Sequence, residues 1–185
     1  MKIFGIGMNK TGTTTLGWCL ENLGYKHKCG SSELIKMIKL DSDYENFDKI
    51  VEENDSFDDL PFNLMYKYLD KKFPNSKFIH TVRQDEETWL NSFKQHCSSG
   101  KGNPINRKLM FGYEDVNSNE AEFLKIYREH NAEIEKYFKN RPTQYLKICW
   151  EQNDDWNELC NFLDKPIPNF EILKQNKGYN KIVIS

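Results

Sequence analysis

The sequence predicts an α/β domain of three layers, a mainly parallel central sheet flanked by helices, and two observations carry that reading. Short apolar or β-branched runs alternate along the 185 residues with longer stretches of helical period, the pattern of successive β-α units. The first unit, Lys2-Ile-Phe-Gly-Ile-Gly-Met-Asn-Lys-Thr-Gly-Thr-Thr-Thr-Leu16, passes from strand through a glycine loop into a helix, the layout of a P-loop-type phosphate cradle.

Residues 2–6 read as a buried strand and 13–23 as a helix with Leu16, Leu20 and Leu23 on one face and Gly24 as its stop. Residues 31–55 are mostly helical in pattern and heavily charged. A short strand at 56–58 precedes Asp59-Leu60-Pro61, with Pro61 suited to the first turn of the next helix. That helix carries Phe62, Met65, Tyr66 and Leu69, and stops near Phe73-Pro74-Asn75. The strand 77–82 follows, with Arg83 at its C-terminal end, then a helix over 86–96. Ser98-Ser-Gly-Lys-Gly-Asn-Pro104 is the most loop-like stretch, and 98–112, with Lys101, Arg107 and Lys108, is a candidate lid or acceptor loop. The longest helix spans 119–139, striped by Phe123, Leu124, Tyr127, Asn131, Ile134 and Phe138. A strand at 143–149 and a helix at 154–163 complete the series. The tail from 166 shows little period until 181–184.

This length suits one domain over 1–185 with a full core. Hydrophobic residues are 38% of the chain, but twelve Phe and nine Tyr supply large buried area. A formal net charge of −2 gives no basic field, so neither nucleic-acid nor anionic-membrane binding has compositional support. Five cysteines without a Cys-x-x-Cys pair suggest reduced thiols, neither a disulfide framework nor a zinc site. The chain begins with strand and loop and has no long apolar segment, so the expectation is no signal peptide, no membrane anchor and a cytoplasmic address.

Gly7 and Gly12 have the spacing of a Walker-type loop, but Thr13 fills the lysine position and the lysine lies two residues before the second glycine, at Lys10. Amides of residues 10–14 would hold a terminal phosphate, with Thr13 and Thr14 hydroxyls as extra donors. A glycine turn with a threonine-rich helix cap is the plainer alternative. An NTPase needs an acid at a strand end for Mg²⁺, whereas the second strong strand ends in Arg83. Lys10, Asp59 and Arg83 all fall at the carboxyl ends of strands, where the ligand crevice of such a sheet lies.

These residues resemble the cytosolic-type sulfotransferases, which use 3′-phosphoadenosine 5′-phosphosulfate as sulfuryl donor. Asn9-Lys10-Thr11-Gly12-Thr13-Thr14 is similar to their 5′-phosphosulfate loop, usually Pro-Lys-Ser-Gly-Thr-Thr. Phe78-Ile-His-Thr-Val-Arg83 followed by Trp89-Leu-Asn-Ser-Phe93 resembles the strand, arginine and serine that bind the 3′-phosphate. Lys147-Ile-Cys-Trp-Glu151, Leu159-Cys-Asn-Phe-Leu-Asp-Lys-Pro166 and Tyr127-x-x-His130-Asn131 resemble a compact sulfotransferase-like P-loop subgroup. The likeness spans nearly the whole chain and is weakest over 25–55.

The resemblance implies that Lys10 stabilises charge on the bridging oxygen of the leaving phosphosulfate, that Asn9, Thr11, Gly12, Thr13 and Thr14 form the 5′-phosphate grip, and that Arg83 binds the 3′-phosphate. A surface ion pair is the alternative for Arg83. The family serine stands eight residues after the arginine; here that place is Asn91, with Ser92 one further, and either is the ligand. Asn176-Lys177-Gly178 resembles the Arg-Lys-Gly clamp of the 166–185 tail, which implicates Lys177 and Gly178. The family's catalytic His-Leu-Pro reads Asp59-Leu60-Pro61 here, so Asp59 is the candidate base, or only a helix cap. His80 is a second candidate base. Trp150 resembles an adenine-contacting position, with core filling the alternative. The implied reaction is in-line sulfuryl transfer to a hydroxyl or amine of a small-molecule or glycan acceptor, leaving adenosine 3′,5′-bisphosphate and needing no metal. A P-loop kinase or NTPase, and an inactive nucleotide-binding protein of the same fold, remain the alternatives.

Overall fold

The computed structural model describes residues 1–152 and 156–172. Its elements are β1 (Ile3–Gly5), α1 (Thr13–Asn22), β2 (His27–Cys29), α2 (Ser32–Lys39), α3 (Tyr44–Glu52), β3 (Ser56–Asp58), α4 (Tyr66–Lys72), β4 (Lys77–Val82), α5 (Glu86–Ser98), α6 (Pro104–Phe111), α7 (Glu120–Phe138), β5 (Tyr145–Cys149) and α8 (Asn157–Leu163). The strands lie in the order β2-β3-β1-β4-β5 and every pairing is parallel. The expected α/β architecture with a parallel sheet is therefore present.

Alternation along the central strands builds the layers, because successive strand side chains point to opposite faces. Ile3 of β1 and Ile79 of β4 join Leu16 and Leu20 of α1 and Leu159 of α8 in one core. Their neighbours Phe4 and Phe78 join Phe47 of α3, Leu69 of α4 and Phe138 of α7 in the other. Burial on both faces explains why these strands read as continuous apolar runs. A third cluster, Met8 with Trp89 and Phe93 of α5 and Phe123 and Tyr127 of α7, lies under the glycine loop. There the Trp89 and Tyr127 rings stack at 4.3 Å. No helix among the described residues is long and apolar enough to cross a membrane.

Several boundaries differ from the sequence expectation, each for a physical reason. β2 is three residues, His-Lys-Cys, at the sheet edge and half-buried or exposed, so no apolar period marks it. The helix expected from Phe62 is divided into a 3-10 turn at Phe62–Leu64 and α4. Most of the candidate lid is helix: Asn103 caps α6 by accepting from the amides of Ile105 and Asn106, and Pro104 occupies the first turn. Asn106 Nδ2 then donates to Ser32 Oγ of α2 at 2.7 Å. The proposed tail clamp, Lys177 and Gly178, lies outside the described residues.

Candidate active site

The loop between β1 and α1 is held inside out. Five consecutive carbonyls, from Ile6 to Lys10, accept hydrogen bonds from side chains behind the loop. His130 Nε2 donates to Ile6 O at 2.8 Å, Asn63 Nδ2 to Gly7 O at 3.2 Å and Thr11 Oγ1 to Met8 O at 2.6 Å. Trp89 Nε1 donates to Asn9 O at 2.9 Å and Arg83 Nη1, more weakly, to Lys10 O at 3.4 Å. With its carbonyls occupied in this way the loop is held in one shape, in which the Thr11 amide returns to Met8 O at 3.3 Å. Gly12 caps α1 at φ 92° and offers no side-chain acceptor, so the first-turn amides stay available to an anion. Gly7 cannot carry a side chain, since a Cβ would stand 2.2 Å from the carbonyl oxygen and hydroxyl of Thr81.

Lys10, Asp59 and Arg83 meet at this loop, from the carboxyl ends of β1, β3 and β4. Asp59 Oδ1 accepts from Asn9 Nδ2 at 2.8 Å and from Thr13 Oγ1 at 3.1 Å. Its carboxylate therefore faces the loop and does not cap the following turn, which has no side-chain cap. Burial, and after it the charge of Asp58, push the Asp59 carboxyl up to about 7. Burial draws the Lys10 ammonium below its ordinary range while Asp59 pulls it upward. Both residues sit in left-handed backbone, Lys10 at φ 71° and Asp59 at φ 61°. Arg83 Nε lies 2.5 Å from Glu151 Oε1 but lacks hydrogen-bond alignment there and has no other partner.

Two cavities open in this part of the molecule, the second of them beside the loop. One of about 290 Å³ runs past Arg83, Gln84, Lys147 and Gln152 at the β4 and β5 ends. The other, about 270 Å³, is bounded by Asn9, Asp59, Phe93, Lys101, Arg107 and Phe111. The model of the sulfotransferase domain family matches residues 2–117 and 103–180 of this chain. The chain belongs to that sulfotransferase family. The Ava biosynthesis cluster protein M of Aspergillus versicolor is similar to it, at 23% identity over 210 residues, covering 92% of this chain and 79% of that protein.

In this sulfotransferase-family chain the remaining predicted residues take distinct places. Thr11 is 1% exposed; its hydroxyl is spent on Met8 O and Thr81 Oγ1, and its amide donates to Met8 O at 3.3 Å. The Thr13 hydroxyl is committed to Asp59, whereas Thr14 is exposed. On α5, Asn91 is exposed and Ser92 half-buried. Trp150 is 4% exposed and presses its indole on Gly12, where a Cβ would meet Trp150 Cδ1 at 2.3 Å. Its Nε1 is buried with no protein partner. His80 is fully buried, donating from Nε2 to Asn131 Oδ1 at 2.9 Å and accepting at Nδ1 from the Tyr145 hydroxyl at 2.8 Å. Burial lowers it to about 3. His80 is thus a neutral core imidazole, away from the crevice.

Sequence reasoning placed Asp59 at a strand's carboxyl end but missed that this strand lies directly beside the loop's own. β3 is the direct neighbour of β1, and it ends in Asp58-Asp59, so an acidic strand end does flank the cradle. Cys29, Asp58 and Asp59 bring potential ligand atoms within 4.8 Å of one another. Asp58 also lies 3.4 Å from His27 Nε2. The signal was present as two aspartates after a short strand, but the strand order that makes it informative is not written locally. The loop-tying roles of Asn63, Trp89 and His130 were missed for the same reason.

Proposed function

We propose that residues 1–185 act as one domain that transfers a sulfuryl group from 3′-phosphoadenosine 5′-phosphosulfate to a hydroxyl or amine of a small-molecule or glycan acceptor. The observation that supports this most is the loop whose five carbonyls are tied outward with Asp59 fastened to it, since it joins an anion nest to a base of raised pKa. When bound, the donor supplies the sulfuryl group and carries its own leaving group.

The protein's residues fit that donor. The amides of Gly12, Thr13 and Thr14 and the exposed Thr14 hydroxyl suit the 5′-phosphate. Arg83, whose guanidinium can fork to phosphate, lines the cavity at the β4 and β5 ends and suits the 3′-phosphate, with Asn91 or Ser92 the accompanying ligand. The unpartnered Trp150 Nε1 beside Gly12 favours contact through its N–H edge over ring stacking, because the ring face is covered. Asp59 takes the proton that the acceptor loses as its oxygen or nitrogen bonds to sulfur. Lys10 neutralises the charge left on the phosphate oxygen when the old S–O bond breaks. Lys177 and Gly178 complete the clamp in this reading. Five free thiols fit a cytoplasmic setting.

A second reading, a P-loop kinase or NTPase, is favoured by the acids at the end of β3 next to the cradle. Thr13 in the usual lysine position speaks against it. Thermal shift separates the two: adenosine 3′,5′-bisphosphate without metal is expected to stabilise the protein by ~2.7 kcal/mol at ~100-fold its dissociation constant. Stabilisation by ATP with Mg²⁺ alone would reject sulfuryl transfer.

A further inference from the structure

The 270 Å³ cavity beside Asp59 is polar in an uneven way. Ile35, Leu60, Phe93 and Phe111 line it together with His96, Lys101 and Arg107. Arg107 donates from Nε to Glu114 O at 2.7 Å, yet its Nη1 is buried without a partner. A guanidinium N–H left unpaired in a buried place is costly, so such an atom points to a missing acceptor. No nearby acid hydrogen-bonds that atom, although the Asp115 carboxyl is held low by hydrogen bonds from Ser118 and in part by the charge of Arg107. Glu114 pairs with Lys108 at 2.9 Å, and Asp115 accepts from the amides of Asn117 and Ser118. Among the described residues Asp59 is the one carboxylate in the cavity lining. Burial lowers His96, and the charges of Lys10, Lys101 and Arg107 lower it further, which shows how closely these cations crowd one space.

Resting on the sulfuryl-transfer reading, we infer that the acceptor is a small anionic molecule, with an apolar or aromatic body against Phe93 and Phe111, its hydroxyl or amine toward Asp59, and an oxyanion received by Arg107 and Lys101. A cavity this size, at the small end of ligand sites, suits one ring or a short chain and not a polymer's interior. Cations concentrated in a low-dielectric cleft also draw such an acceptor in.

The test titrates phenols into protein saturated with adenosine 3′,5′-bisphosphate, by calorimetry. The probes are 4-hydroxyphenylacetate, 4-hydroxybenzenesulfonate and the neutral 4-hydroxyphenylacetamide. The two anions should bind at least about tenfold tighter than the amide, as loss of a charge-assisted hydrogen bond implies, and should weaken with added salt. Their relative affinity distinguishes carboxylate from sulfonate recognition. Arg107→Gln, and the exposed Lys101→Gln where folding is a concern, should erase the preference while bisphosphate affinity stays unchanged. Equal or better binding of the amide overturns the inference. So does the absence of any phenol binding when the bisphosphate binds, or a matching loss of bisphosphate affinity in Arg107→Gln, which would assign these cations to the donor. Failure of the bisphosphate itself to bind rejects sulfuryl transfer instead, and the same phenol titration without nucleotide still reads whether the cavity prefers anions.

Discussion

Thr13 Oγ1 lies 3.1 Å from Asp59 Oδ1, and because Asn9 donates to the same oxygen, one carboxylate bridges the glycine loop and the helix it opens. The residue proposed as base is thereby part of the cradle's own scaffold. Chemistry and loop geometry cannot be altered independently at this point.

Asp59→Asn keeps the bridge's shape, and asparagine tolerates the left-handed backbone there. Turnover should nonetheless fall by about 10²–10⁴, the usual contribution of a general base. Because the wild-type carboxyl is pushed up to about 7, kcat should climb with pH through that value and level off above it. A flat profile between pH 5 and 9 would show that Asp59 takes no proton.

The same carboxyl has a consequence for stability. Its folded pKa, about 7, exceeds the unfolded value of ~3.9, so its contribution is fully present below about pH 4 and is lost as pH rises through 7. Asp59→Asn should therefore raise Tm relative to wild type more at pH 8 than at pH 4. Melting curves at the two pH values give the answer, and an identical offset at both contradicts the raised pKa.

Lys10→Gly separates catalysis from folding. The φ of 71° at Lys10 costs a side-chain-bearing residue about 1–2 kcal/mol, which glycine does not incur. Chemical denaturation should find the variant within about 1 kcal/mol of wild type, while turnover collapses and bisphosphate binding persists. Retained turnover would remove Lys10 from the mechanism.

Trp89→Phe keeps an aromatic ring near Tyr127 but deletes the N–H that holds Asn9 O and leaves a void where the rest of the buried indole stood. The expected loss is about 2–3 kcal/mol of stability, from the void and the lost hydrogen bond together, with weaker bisphosphate binding because an untethered carbonyl can swing into the nest. Unchanged affinity in calorimetry would show that the loop holds its form without this tie.

Arg83→Ala should weaken adenosine 3′,5′-bisphosphate far more than the analogue lacking the 3′-phosphate. Part of any stability loss will come from the ion pair with Glu151 at 2.5 Å, a partly exposed contact of modest worth. Equal losses for both nucleotides would make Arg83 a support for Lys10 O and nothing more.

What the sequence by itself determined is whatever depends on neighbours along the chain. The strand, glycine loop and helix over residues 2–22, the strand 77–82 with Arg83 after it, and the striped helix α7 were all legible, since period and backbone freedom act over a few residues. Even the displaced lysine was visible at once. Tertiary structure decided the rest. His130 reaches Ile6 across 124 residues and Trp89 reaches Asn9 across 80, and Asp59 faces the cradle because β3 pairs with β1. The ordered helix α6, where the sequence suggested a loop, owes its place to contact with α2. Hydrogen-bond partners this far apart follow from which strands and helices become neighbours, a choice made by the burial of two cores at once and by no short stretch of residues.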